Sequence, residues 1–148
     1  DNFDLETSHV IPAMVRKFHE AKINDDDKVE IWGSGKPFRE FLHVDDLADA
    51  VLYLFENING EELYEMGISH INIGSGDEIS IQNLAILIKD IIGFRGELVF
   101  NDDKPDGMPR KVLDSSLLNN LGWKSRINLS DGIKSLYTWY KNQKDYIV

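Results

Sequence analysis

The run GKPFREFLHVDDLADA, residues 35–50, constrains the fold more than any other stretch, because an arginine, a short apolar segment and a helix start share one span. Phe41, Leu42 and Val44 predict a strand. Asp45 and Asp46 suit the N-cap and first turn of a helix, where carboxylates meet unpaired N–H groups and the positive end of the helix dipole. Arg39 therefore stands at the entrance of an ordered element. Beyond Asp45, the residues Leu47, Ala50, Val51, Leu54 and Ile58 recur at helical spacing and predict an inward face, with Asp46 and Asp49 outside. Arg39 has two readings at this point: an ion pair with Glu40, Asp45 or Asp46, or contact with an anionic ligand.

Upstream, Ile11, Met14, Val15, Phe18 and Ala21 form the stripe of a helix capped near Ser8, with Pro12 in its first turn, where a missing N–H does no harm. His9 falls at or just before that N-terminus, where the helix dipole favours the neutral ring. A neutral imidazole can exchange protons with a substrate, although a hydrogen bond at a helix end is the commoner role. His19, His43 and His70 have no metal-ligand spacing and read as structural or exposed, and no metal site is expected. Residues 24–28 are a charged turn, and Val29 and Ile31 share one face of a short strand. Trp32 closes that strand, either as a core or rim residue or as a platform for a base or sugar.

Residues 58–69 read as a polar connection, and HINIGSGDEIS after it as strand, turn and helix start. There Ile71 and Ile73 pack, Ser80 caps, and Ile81, Leu84, Leu87, Ile88 and Ile91 run down one face to Gly93. Gly74-Ser75-Gly76 imitates a dinucleotide-binding fingerprint, but Ile79 stands where the third glycine belongs. No acidic residue follows at the ribose distance in a second strand, so the chain alone is not expected to bind a dinucleotide. A strand over 97–101 leads into a loop containing Pro105, Gly107 and Pro109. A rigid turn at Pro109 predicts that Arg110 and Lys111 reach one place; the plainer alternative is a solvated loop. Asp114 or Ser115 caps a short helix through Leu117, Leu118 and Leu121, ending at Gly122, and Trp123 covers the core edge. Ser130 caps a last helix carrying Ile133, Leu136, Tyr137 and Tyr140 inward, before a polar KNQKD tail. The expected fold is mixed α/β, with about four or five helices around short strands.

A length of 148 residues suits one domain. The net charge of -10, from 26 acids against 16 bases, argues against nonspecific nucleic-acid or anionic-membrane binding, so an anionic ligand must be held by local bases. No apolar run has the length of a membrane span, and DNFDLETSH lacks the features of a signal peptide, so a cytoplasmic location is expected. With no cysteine there is no disulfide, thiolate zinc site or cysteine nucleophile within the chain. Its start without methionine, inside what reads as a loop, leads us to expect a fragment.

The blocks SHVIPAMVRKFHEAK, VEIWGSGKPFREFLHVDDLADA, HINIGSG, KPDGMPRKVLD and LGW, in this order, resemble the GDP-L-fucose synthase family of extended short-chain dehydrogenases/reductases. Those enzymes make GDP-L-fucose from GDP-4-keto-6-deoxy-D-mannose by epimerisation and NADPH-dependent reduction. The resemblance implies the C-terminal substrate-binding part of such an enzyme across 1–148, with the N-terminal Rossmann half absent. It places the NADP(H) loop, the catalytic Ser and Tyr-x-x-x-Lys, and a cysteine base upstream. His9 then matches the acid of epimerisation and a contact near the nicotinamide, while Lys17, Trp32 and Arg39 match substrate-contacting positions. Asp106 and Lys111 match a loop that closes over the GDP-sugar, and Arg110 joins Arg39 and Lys111 as a candidate for the diphosphate. A homodimer is implied as well. The alternatives are another nucleotide-sugar epimerase or dehydratase of the superfamily, or a nucleotide-sugar-binding module without catalysis.

Overall fold

Two small sheets divide the work of the fold, one inside the core and one at its edge. The computed structural model describes residues 2–143. In chain order these form α1 (Val10–Asn24), β1 (Lys28–Trp32), β2 (Phe38–Glu40), α2 (Val44–Asn57), α3 (Gly60–Glu65), β3 (Glu78–Ser80), α4 (Ile81–Ile92), β4 (Glu97–Asn101), β5 (Arg110–Lys111), α5 (Ser116–Asn120) and α6 (Leu129–Asn142). The expected α/β class is observed. Of the KNQKD tail, Lys144 and Asp145 lie outside the described residues.

β1 and β4 pair in parallel, with Val29 opposite Leu98 and Ile31 opposite Phe100. Val29 and Ile31 face inward as the alternation predicts, onto a core that α1, α4 and α6 close with Phe18, Leu84, Ile88, Ile133 and Tyr140. Gly93 ends α4 in the left-handed conformation, and Ser80 caps its start by accepting from the Asn83 N–H. The second sheet has the order β3-β2-β5, with β2 antiparallel to β3 and parallel to β5. A smaller cluster of Ala50, Leu118 and Trp123 sits under α2, with Ile71 and Ile73 against it.

The α2 reading holds only in part: Ala50 is buried and Leu54 packs against the Leu118 and Trp123 cluster as expected, but other positions of the face are turned. Asp46, expected outside, is 3% exposed, whereas Leu47 and Val51 are exposed and Phe55 reaches 88%. The buried carboxylate accepts from the Arg126 N–H at 3.1 Å and the Ile127 N–H at 2.9 Å, and Asp49 accepts from Trp123 Nε1 at 2.7 Å. Helical spacing marks which residues share a face, not what covers that face; here hydrogen-bond demand on the α5–α6 connection draws the acidic side inward.

Other differences are local. The strand expected around Phe41–Val44 lies earlier, as β2, so Arg39 is its central residue, and α2 is capped by His43, which accepts from the Asp45 N–H. His9, not Ser8, is the N-cap residue of α1, and Asn128, not Ser130, caps α6. Residues 58–69 contain the short helix α3, capped by Asn59. Residues 71–73 form no strand; their isoleucines pack while Asn72 donates to the Asp114 carbonyl.

Urea unfolding distinguishes the two faces of α2. Asp46→Ala leaves buried N–H groups unpaired and is expected to lower stability by about 2–4 kcal/mol. Phe55→Ala, at an exposed position, is expected to change it by less than about 0.5 kcal/mol. The reverse order would show that the observed orientation of α2 is wrong.

Candidate functional site

Between β2, β5, the start of α1 and the loop after β4 lies a cavity of about 640 Å³, lined among others by His9, Trp32, Arg39, Glu40, Asp106 and Lys111. Residues far apart in sequence meet there because β2 pairs with β5: Arg39 stands opposite Lys111 in the parallel register. Side chains of register neighbours share a sheet face, which brings two cations together.

Arg39 Nη1 donates to the Phe38 carbonyl at 2.7 Å and the Met108 carbonyl at 2.8 Å. Its Nε and Nη2 donate to no described residue, and none of the carboxylates of Glu40, Asp45 or Asp46 pairs with it. Lys111 has no ion pair among the described residues. Arg110, expected beside Lys111, points the other way: strand alternation turns it from the cavity, and its Nε donates to Glu78 at 2.7 Å. The prediction that one turn delivers both cations to one place is therefore corrected, since a turn that continues into a strand sends consecutive side chains to opposite faces.

His9 has extended backbone (φ −71°, ψ 169°) at the start of α1, and its ring does not cap the helix. It is exposed at the cavity rim. Asp106 is held by Ser34: one carboxylate oxygen accepts from the Ser34 N–H and the other from its hydroxyl, both at 2.6 Å. These bonds hold the Asp106 carboxyl below the usual range. Gly33, at φ +78°, leaves room for them, since a Cβ there would lie 2.4 Å from Asp106 Oδ1.

Trp32 separates this cavity from a smaller one of about 230 Å³ on the α1 side, which Lys17 lines. Lys17 Nζ donates to the Glu30 carbonyl at 3.1 Å, and burial pushes its pKa down. Reading the sequence missed three participants. Glu40 accepts from the N–H groups of Gly76 at 2.7 Å and Leu113 at 2.9 Å, tying the 74–76 turn and the chain after β5 to the site. Ser34 anchors Asp106, and the only hint of it is its place between Gly33 and Gly35, both at positive φ. Lys104 places its Nζ 5.0 Å from the Trp32 ring centre.

Of the other histidines, His19 donates or accepts at the Tyr137 hydroxyl and packs edge-on against Tyr137 and Tyr140, with burial lowering its pKa. His43 caps α2 and His70 is exposed, as expected. A second cavity, about 340 Å³ and bordered by Ile11, Phe41, Leu129 and Trp139, is largely apolar and lined by no lysine or arginine. Among the described residues no helix is long and apolar enough to cross a membrane.

Residues 1–74 match the model of the NAD dependent epimerase/dehydratase family. A putative GDP-L-fucose synthase 2 of Arabidopsis thaliana is 54% identical over 140 residues, which cover 95% of this chain and 40% of that protein. Among solved structures, a GDP-6-OMe-4-keto-L-xylo-heptose reductase from C. jejuni superposes with a TM-score of 0.88 at 42% identity, over 97% of this chain and 50% of that one. A GDP-L-fucose synthetase from Naegleria fowleri, bound to NADP, gives 0.84 at 30% identity, over 97% and 43%. The chain thus spans about 40–50% of the length of these relatives. With residues 1–74, half its length, under the family model, the chain belongs to the NAD dependent epimerase/dehydratase family.

Proposed function

We propose that residues 1–148 are the nucleotide-sugar-binding part of a longer NADPH-dependent epimerase-reductase that converts GDP-4-keto-6-deoxy-D-mannose to GDP-L-fucose. The observation that carries this reading is the meeting of His9, Trp32, Arg39 and Lys111 at one cavity from four separate stretches of chain. On a protein of net charge -10, two cations at one wall that no carboxylate among the described residues neutralises suit an anionic ligand. One cation 4 Å from a phosphate oxygen contributes roughly 4 kcal/mol of gross attraction at an effective dielectric of 20, before desolvation. Arg39 and Lys111 hold the diphosphate in this account, Arg39 through its Nε and Nη2 donors.

The sugar then extends toward His9. A ketone at carbon four acidifies the protons at carbons three and five, and each inversion passes through an enolate that must be reprotonated on the opposite face. His9 supplies that proton from its ring nitrogen at the cavity rim. The cysteine base that the family resemblance implies is not among the residues of this chain. Arg39, fixed by two carbonyls, keeps the diphosphate and hence the sugar in register with the imidazole.

Residues 74–76 do not fit a cofactor pyrophosphate. Glu40 Oε1 already accepts from the Gly76 N–H, and a Cβ on Gly74 would lie 2.5 Å from that carboxylate oxygen. A negative group at that spot repels phosphate. In the proposed enzyme, NADP(H) is therefore bound mainly by residues outside this chain. The exposed apolar face of α2, with Val44, Leu47, Val51 and Phe55, supports a further part of the protein packing there. The whole enzyme is read as a cytoplasmic homodimer. The likeness to the heptose reductase favours, as a second reading, reduction of a different GDP-sugar on the same diphosphate site.

In the whole enzyme, His9→Asn is expected to slow solvent-deuterium incorporation at carbons three and five about 100-fold or more, while the Kd for NADPH changes far less. Undiminished incorporation would remove His9 from the reaction. Arg39→Met is expected to raise the Kd for GDP about tenfold or more by calorimetry, and an unchanged value would take Arg39 out of the diphosphate site.

A further inference from the structure

The short strand β5 is pinned by backbone at one end and by a side chain at the other. The Phe38 N–H donates to the Pro109 carbonyl at 2.9 Å, and the pairing with β2 then covers only Arg110 and Lys111. Beyond Lys111 the ladder stops, and Glu40 takes over: its Oε2 accepts from the Leu113 N–H at 2.9 Å. The other oxygen, Oε1, accepts from the Gly76 N–H at 2.7 Å. One carboxylate therefore ties the segment that bears Lys111 to the turn at 74–76, and among the described residues no cation forms an ion pair with it.

The Gly74-Ser75-Gly76 turn has the space and the donor that this carboxylate needs. Gly76, at φ +83°, takes a conformation that favours glycine and supplies the N–H. Gly74 is buried, and a Cβ there would lie 2.5 Å from Glu40 Oε1 and 2.7 Å from Ser115 Oγ, so no side chain fits while Glu40 is in place. Ser115, itself 5% exposed, closes the other side. A second tie runs alongside, since Asn72 Nδ2 donates to the Asp114 carbonyl at 3.1 Å. The glycines that imitate a dinucleotide fingerprint thus receive a carboxylate of the chain itself.

We propose that Glu40 is a positioning residue of the cavity at β2 and β5, acting through Lys111, and that the turn at 74–76 is the receptor that holds its carboxylate. The role in ligand binding rests on the diphosphate reading given above; the latch itself rests on the two hydrogen bonds and the space at Gly74. A two-residue strand specifies its register weakly, and a bond just past its end restricts where Lys111 stands relative to Arg39. Such restriction before binding favours affinity. The sign of the effect separates positioning from charge. Glu40 lines the same cavity, and a carboxylate there repels an anion, so by charge alone its removal strengthens binding. By positioning, its removal weakens binding.

The test is calorimetry on the full chain with GDP and with inorganic pyrophosphate, for the parent protein, Glu40→Gln, Gly74→Ala, Lys111→Met and the double variant of Glu40→Gln with Lys111→Met. Glutamine keeps the size of Glu40 but sets an amide donor against one of the two N–H groups, whereas Gly74→Ala keeps the charge and displaces the carboxylate. Each is expected to weaken both probes about threefold or more, and Glu40→Gln is expected to add no loss once Lys111 is replaced. Hydrogen exchange on the same samples is expected to quicken at the Gly76 and Leu113 amides and to leave α1 and α4 protected, which separates a local effect from general unfolding. Should Glu40→Gln lose protection in those helices, Gly74→Ala decides in the same direction. Binding by Glu40→Gln or Gly74→Ala as tight as the parent's, or tighter, overturns the positioning role while the diphosphate reading stands, and so does a loss just as large without Lys111. A parent chain that binds neither probe overturns the diphosphate reading, and the positioning role falls with it.

Discussion

Everything at the site hangs on the double pairing of β2. This strand has three residues, yet it joins β3 on one side and β5 on the other, and so brings 38–40, 78–80 and 110–111 together. Parallel and antiparallel ladders both depend on register, and a slip of one residue would turn Arg39 to the other face and separate it from Lys111. The same strand ends in Glu40, whose carboxylate gathers the N–H groups of Gly76 and Leu113. Strand pairing aligns the cations, and the carboxylate beside them fixes the loops that frame them.

The second constraint is polar satisfaction under α2. A buried carboxylate is tolerated because it meets donors that would otherwise be unpaired, and Asp46 meets the N–H groups of Arg126 and Ile127 at the entry to α6. α2 thereby turns its acidic side to the protein and Leu47, Val51 and Phe55 away from it. Ala50, Tyr53 and Leu54 complete the contact of this helix with the chain's own Leu118 and Trp123 cluster.

These two features mark how far the residues alone could be read. Helices α1, α4 and α6 and strands β1 and β4 follow from spacing and turn residues, because the packing of each agrees with its local pattern. α2 was legible as a helix with Ala50 and Leu54 inward, but the burial of Asp46 was not, since its partner lies eighty or so residues away, which no local pattern records. Arg110 and Lys111 were legible as a cationic pair but not as members of opposite faces, because a two-residue strand has no periodicity to show. His9, Trp32, Arg39, Asp106 and Lys111 came from motif resemblance, and the structure brings all five to one cavity. Ser34 is hinted at only by its place between Gly33 and Gly35, and the position of Lys104 at the Trp32 ring by nothing local.

The central claim is that the cavity at β2 and β5 receives a guanosine diphosphate sugar. Its most direct test is a GDP titration of the isotopically labelled chain followed by nuclear magnetic resonance. Saturable shifts gathered at His9, Trp32, Arg39 and Lys111, with the Trp139 indole at the apolar cavity unmoved, are the expected result. Shifts confined to the Ile11 and Trp139 cavity, or no saturable change at any of the four residues, would contradict it.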